Sequence, residues 1–248
     1  MAARLKGRQQ PSYQLTPRHT DSYGPDAAAL AEGYGMPPDP WQRLILDGWM
    51  GTLKDGRWAA GDCGVSVPRQ NGKNGVIEFL ELYDTAILGL KILHTAHEVK
   101  TCRKHFLRMK NYFENARQYP ELAAAVDYIR NTNGQEAIVL TNGGSIEFIA
   151  RSKSSGRGFT VDILVCDEAQ ELTDEQMEAI QPATSSAPSG NPQTIYAGTP
   201  TPPSSPGTVF ERIRRTARTV KPKRTCWYEW GVEEIGDIHD RTRLAQAN

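Results

Sequence analysis

The stretch VSVPRQNGKN at residues 65–74 constrains this chain more than any other, because a short apolar strand runs directly into a polar turn ending in Gly-Lys. A strand, a turn and then a helix form the layout of a phosphate-binding loop. Backbone N–H groups and the positive end of the helix surround phosphate oxygens, while the lysine reaches the β- and γ-phosphates. The loop would consist of Pro68, Arg69, Gln70, Asn71, Gly72, Lys73 and Asn74. Two positions depart from the usual GxxxxGK[ST] pattern. Val67 stands where the first glycine belongs, and Asn74 replaces the hydroxyl residue that ordinarily ligates Mg2+. An ordinary strand-turn-helix is the open alternative, since Asn71-Gly72 is also a turn signal.

After Lys73 the apolar positions Val76, Ile77, Leu80, Tyr83, Ile87 and Leu88 keep helical spacing until Gly89, so the loop does open a helix. Upstream, Asp39-Pro40-Trp41 offers an N-cap with proline at the first helical position, which predicts a helix over residues 40–50. Downstream, the pattern predicts a buried strand over 91–95 and an amphipathic helix over 97–113 that carries Lys100, Arg103, Lys104, Arg108 and Lys110. A helix over 120–130 and a hairpin of 137–141 with 145–150 across Asn142-Gly143-Gly144 are expected next. Residues 161–166 form an apolar run interrupted by Asp162, as in a strand covered on both faces. A helix over 173–180, a strand over 194–197, a Pro/Ser/Thr-rich crossing at 201–206, a basic helix over 209–218 and a strand over 225–230 complete the pattern. The expectation is an α/β fold with a mainly parallel sheet flanked by helices. It divides into a surface arm at 1–38, a core at 39–206 and a lid or linker region at 207–248.

The apolar run ends at Asp167-Glu168, and this gives the loop a chemical partner. A phosphate loop and an acidic pair at a strand end are the two halves of a P-loop NTPase site. In that pairing Asp167 would hold Mg2+ through water, and Glu168 would orient and deprotonate the attacking water. The plainer alternative is that both residues start a loop and cap the following helix.

Composition narrows the remaining classes. A chain of 248 residues with 38% hydrophobic content can build one large α/β core. Lys and Arg total 29 against 29 Asp and Glu, so any nucleic-acid contact has to come from a local cluster. One such cluster is Arg212, Arg214, Arg215, Arg218, Lys221, Lys223 and Arg224, facing the single acid Glu211. It reads as a DNA-phosphate contact or, equally, as a solvated or subunit-contact face. Four cysteines without CxxC spacing fit a reducing compartment. No apolar run approaches the roughly 18 residues of a membrane helix, and the N-terminus lacks a signal-peptide h-region, so a soluble intracellular protein is expected. His94, His97, Cys102 and His105 lack the spacing of a known zinc site, and no metal is expected there.

Three stretches in this order resemble the large terminase subunits of tailed bacteriophages, the ATP-driven motors that pump DNA into capsids. They are PRQNGKN at 68–74, GRGFTVDILVCDEAQEL at 156–172 and AGTPTPP at 197–203. The resemblance implies a P-loop NTPase of the ASCE or RecA-like type with ATP and Mg2+ as cofactors. It places Lys73 on the phosphates, Arg69 as an arginine sensor within the same subunit, and Asn74 as a Mg2+ ligand through its amide oxygen. It also implies Gln42 as an adenine contact, Arg157 as the arginine that reaches into a neighbouring subunit's site, and Thr199 as a sensor of the γ-phosphate. Taken on residues alone, Gln42 reads as well as a solvated helix residue, Arg151 competes with Arg157, and Gly198-Thr199 reads as a strand-ending turn. Double-stranded DNA, a portal protein and a small terminase subunit are the implied partners, in a homo-oligomeric ring working in the host cytoplasm and not at a membrane. Such subunits carry a nuclease domain after the ATPase. Nuclease activity is not expected from these 248 residues, so the chain reads as a truncated or split form. The rival expectations are a helicase-like DNA translocase and a catalytically weak scaffold that binds portal or DNA, the latter motivated by Val67 and Asn74.

Overall fold

A computed structural model of the chain describes residues 7–152 and 158–247, apart from residues 233, 235 and 238. From the N-terminus the elements are β1 (Tyr13–Leu15), β2 (Asp21–Ser22), α1 (Gly24–Gly33), α2 (Pro40–Trp49), β3 (Gly51–Thr52), β4 (Asp62–Ser66), α3 (Lys73–Ala86), β5 (Lys91–Ala96) and α4 (Val99–Glu114). There follow α5 (Pro120–Ala124), β6 (Val126–Arg130), β7 (Glu136–Leu140), β8 (Ser145–Ala150), β9 (Ile163–Asp167), α6 (Asp174–Ile180), β10 (Gln193–Gly198), α7 (Thr208–Thr219), β11 (Thr225–Glu229) and α8 (Arg241–Ala247).

The main sheet runs in the order β1-β11-β4-β10-β9-β5-β8-β7-β6. Its strands from β11 to β8 are parallel. Antiparallel β1 closes one edge, and antiparallel β7 and β6 close the other. Every residue of β9 and β10 is buried, which is why these segments read as near-continuous apolar runs. Alternation along the strands then feeds two cores. Val65, Ile92, Val165 and Ile195 pack with Ile45, Trp49, Ile77, Leu80 and Phe106 from α2, α3 and α4. Leu93, Leu164, Cys166 and Tyr196 pack on the opposite face with Ile180 of α6 and Phe210 of α7. Each large side chain so buried contributes about 1.5–3 kcal/mol. No helix among the described residues is long and apolar enough to cross a membrane.

The sheet differs from the expected layout in three places. Residues 120–130 split into α5 and β6, because Val126 to Arg130 find a partner strand in β7 and that pairing overrides the helical pattern. The segment expected as a surface arm supplies edge strand β1 and helix α1, whose Ala27, Ala28 and Ala31 are fully buried against the core. A Cβ on Gly24 would lie 2.4 Å from the Asp47 backbone nitrogen, so α1 begins where only glycine fits. The segment expected as a lid or linker supplies β11, an interior strand between β1 and β4.

Candidate active site

Parallel order brings the C-terminal ends of β4, β9, β10 and β5 to one edge of the sheet, where α/β proteins bind ligands. At the end of β4, Val67 continues the buried strand and its N–H donates to the Gly198 carbonyl at 3.1 Å. The chain then turns left-handed at Gln70 (φ 65°) and at Gly72 (φ 79°) before α3 opens at Lys73. The left-handed geometry thus falls at Gln70 and Gly72, and the loop tolerates Val67 where a glycine is usual. Glycine adopts such a φ freely, whereas a side chain at Gln70 costs about 1–2 kcal/mol. Gln42 lies behind the loop. Its Nε2 donates to the Gly72 carbonyl at 3.1 Å and its Oε1 accepts from the Asp39 N–H at 2.8 Å.

The facing wall is built at the end of β9. Asp167 is 1% exposed; its Oδ1 pairs with Lys73 Nζ and accepts from the Glu168 N–H at 2.8 Å. Burial pushes this carboxyl up, but Lys73, through its charge and its hydrogen bond, outweighs it and holds Asp167 well below the usual carboxylate range. Its Oδ2 is buried and has no partner among the described residues. Glu168 takes the left-handed conformation (φ 50°), and its carboxyl is pushed up by partial burial and by the charge of Asp167. Thr101 Oγ1 donates to Glu168 Oε1 at 3.4 Å. Buried Arg151 secures the backbone. Its Nη1 donates to the carbonyls of Asp167 (2.7 Å) and Thr95 (3.0 Å), and its Nη2 donates to that of Glu168 (3.1 Å). The Arg151 guanidinium is therefore spent on carbonyls inside its own chain, while Arg157 lies outside the described residues.

At the end of β10 the Thr199 N–H donates to Gln170 Oε1 at 3.1 Å, which ties this third segment to the turn after Glu168. The three segments enclose a cleft of about 520 Å³. It is lined by Pro68, Arg69, Gln70, Asn71, Gly72, Lys73, Asn74, Asp167, Glu168 and Thr199, and also by Thr101, Lys104, Arg108 and Gln170. Of the residues expected from sequence, Gln42 stands behind the loop and not among the lining. Sequence reasoning did not find Arg151's clamp or the α4 residues as cleft walls. Lys104 and Arg108 were visible as part of a basic helix, but their direction depends on how α4 packs. The donor set suits a hard, oxygen-seeking cation: a buried carboxylate with one oxygen unpartnered, and the half-buried Asn74 amide in the first turn of α3.

The sequence matches no protein-family model. It matches none of the curated proteins either. Solved structures do share the fold. The HK97 bacteriophage large terminase superposes with a TM-score of 0.75 at 18% identity, over 92% of this chain and 48% of that one. A mutant of the Thermus phage P74-26 large terminase ATPase domain gives 0.54 at 16% identity, over 75% and 72%. The large terminase of a thermophilic bacteriophage in complex with ATP-gamma-S gives 0.51 at 10% identity, over 77% and 44%. The chain spans about half the length of the HK97 protein, 48% of it. At these identities the likeness is one of architecture: the chain shares the α/β fold seen in phage large terminases.

Proposed function

We propose that this chain is an ATP-hydrolysing unit of a DNA-packaging motor of a tailed bacteriophage. One observation carries the reading: the Gly-Lys loop, the Asp-Glu pair and Gly198-Thr199 converge on a single cleft at the ends of neighbouring parallel strands. The fold shared with large terminases, one of them in complex with ATP-gamma-S, supports the motor role. In this reading Lys73 exchanges Asp167 for the β- and γ-phosphates, and the N–H groups of residues 69–74 surround those oxygens. Asp167 and Asn74 would hold Mg2+, which when bound neutralises charge on the phosphate oxygens. Glu168 orients the attacking water and takes its proton. Arg69, exposed on the loop, reaches the transferring phosphate from within the subunit. Thr199 registers the loss of that phosphate and passes it to the Asp167 wall through Gln170. Gln42, which holds the Gly72 carbonyl with one N–H of its amide, would offer the other to adenine.

The partners follow as part of the same proposal: double-stranded DNA, a portal protein, a small terminase subunit and further copies of this chain in a ring, with Arg157 acting on a neighbour's site in the host cytoplasm. Arg212, Arg214 and Arg218 on α7 are paired with Asp174, Glu211 and Glu229, so exposed Arg215, Lys221 and Lys223 are the better DNA-phosphate contacts. The decisive experiment is Mg2+-dependent phosphate release from ATP by the intact protein, Lys73→Ala and Glu168→Gln. Hydrolysis by the intact protein and its loss in both variants is expected. An intact protein that stays inactive with portal and DNA present would make the chain a scaffold, and strand separation in place of packaging would make it a helicase-like translocase.

A further inference from the structure

Below the Asp167 wall lies a buried group that the proposed reaction does not use, formed by Glu81 of α3, His94 of β5 and His105 of α4, each 0% exposed. Glu81 Oε1 lies 2.7 Å from His94 Nδ1 and Oε2 lies 2.6 Å from His105 Nε2. The two imidazoles stack with centroids 3.9 Å apart and planes 10° apart. Three such donor atoms within 4.8 Å of one another have the composition of a zinc site. The stacking argues against a cation shared here. An imidazole lone pair lies in the ring plane, so a metal must lie in the plane of each ring that ligates it, about 2.0–2.1 Å from nitrogen. Two stacked, near-parallel planes share no such point.

The hydrogen bonds define tautomers instead. An ionised carboxylate only accepts, so His94 Nδ1 and His105 Nε2 carry protons and donate to Glu81. Arg108 Nη2, 3.2 Å from His105 Nδ1, donates to that nitrogen. Among the described residues His94 Nε2 has no partner and is left as a buried lone pair. A second orphaned acceptor, Asp167 Oδ2, belongs to the same face of the next strand. His94 pairs in register with Val165, so Asp167, two residues further on, projects from the same side as its diagonal neighbour. Two acceptors cannot bond each other, but one water molecule supplies a donor to each.

We propose that His94 Nε2 and Asp167 Oδ2 hold a shared buried water, and that Glu81, by fixing the His94 tautomer, makes this pair a positioning device for the Asp167 carboxylate. The proposal rests on the reading of Asp167 as the metal-holding residue of a nucleotide site. Hydrogen-bond partners of a metal-binding side chain typically govern 10–100-fold of metal affinity. The test is binding of Mn2+ to the protein with ADP, read by electron paramagnetic resonance. His94→Leu and Glu81→Gln are expected to weaken Mn2+ about tenfold or more, His94→Gln to recover part of the loss, and ADP affinity in EDTA to stay unchanged in all three. Should the intact protein bind no Mn2+ with nucleotide, the nucleotide-site reading falls and this proposal with it. Should it bind Mn2+, with His94→Leu folded and binding equally tightly, only the positioning role falls. Because a buried variant can fail to fold, two measurements on the unmutated protein stand beside these. A crystal structure that resolves waters should show one within hydrogen-bond distance of both atoms, and nitrogen NMR should show His94 protonated at Nδ1. A dry gap, or a proton on Nε2 alone, overturns the proposal.

Discussion

Between Pro68 and Asn74 the phosphate-loop wall of the cleft has no buried residue, while Asp167 across from it is 1% exposed. On the loop side Gln42 holds the carbonyl of Gly72, and Arg69 and Gln70 stand exposed. On the other side Arg151, Thr101 and Gln170 fix the backbone and side chains around Asp167 and Glu168. In the proposed reaction one wall would reshape around phosphates, and the other would present its carboxylates already oriented, so that no reorganisation is needed there. The adaptable wall is a local motif. The rigid wall is assembled from residues far apart in the chain.

The largest expected effect tests the rigid wall at its chemical end. Glu168→Gln should lower kcat about 10²–10⁴-fold, with ADP affinity and Tm unmoved, in phosphate-release assays and thermal melts. Arg151→Met should act on the same wall through its backbone. It leaves the Asp167 and Glu168 carbonyls without their donor, at about 1–3 kcal/mol each, so both Tm and kcat should fall while metal-free ADP binding persists. An Arg151→Met protein that loses activity with no change in Tm would break the comparison, since the clamp would then not be structural.

A third test concerns the footing of that wall, where two fully buried carboxyls sit one turn apart on α3. Burial pushes Glu81 up, but His105 and His94 override it and hold its carboxyl at about 2, against an ordinary 4.5. A lowered folded value means that its stabilisation is present above pH 4.5 and is lost as pH falls toward 2. The Asp84 carboxyl has no hydrogen-bond partner among the described residues, and burial, aided by the Glu81 charge, pushes it well above 3.8. For a raised carboxyl the sign reverses: its contribution is present below pH 3.8 and is lost as pH rises. Melts of Asp84→Asn should therefore match the parent near pH 4 and gain an advantage in Tm that grows toward pH 8. The smallest effect is expected on the adaptable wall. Asn74→Ser should leave Tm within about 1 °C and kcat within about threefold, consistent with a partly exposed site that contributes under ~0.5 kcal/mol.

The same division explains what could be read before folding. Lys73, Asp167-Glu168 and Gly198-Thr199 each announce themselves through neighbours in sequence, since a strand end and the residues just past it are contiguous. The Arg151 clamp and the Glu81 triad depend on register between β5, β8 and β9, which no local pattern records. Residues 126–130 became a strand only because β7 was there to pair with. Trp227 and Tyr228 marked a buried strand, yet nothing local placed it beside β4. Two of the acids that pair with the α7 arginines, Asp174 and Glu229, lie in other elements, so sequence showed only Glu211 beside them.

The placement of β11 carries a mechanical consequence. It runs parallel to β4 from Thr225↔Asp62 to Glu229↔Ser66, and Trp230 adds a further N–H to the Ser66 carbonyl at 2.9 Å. Tension on the chain beyond Trp230, directed along the strand, would load this ladder in shear, so its bonds share the force and do not open one by one. The strand that bears the load is the one that leads into the loop of Pro68 to Asn74.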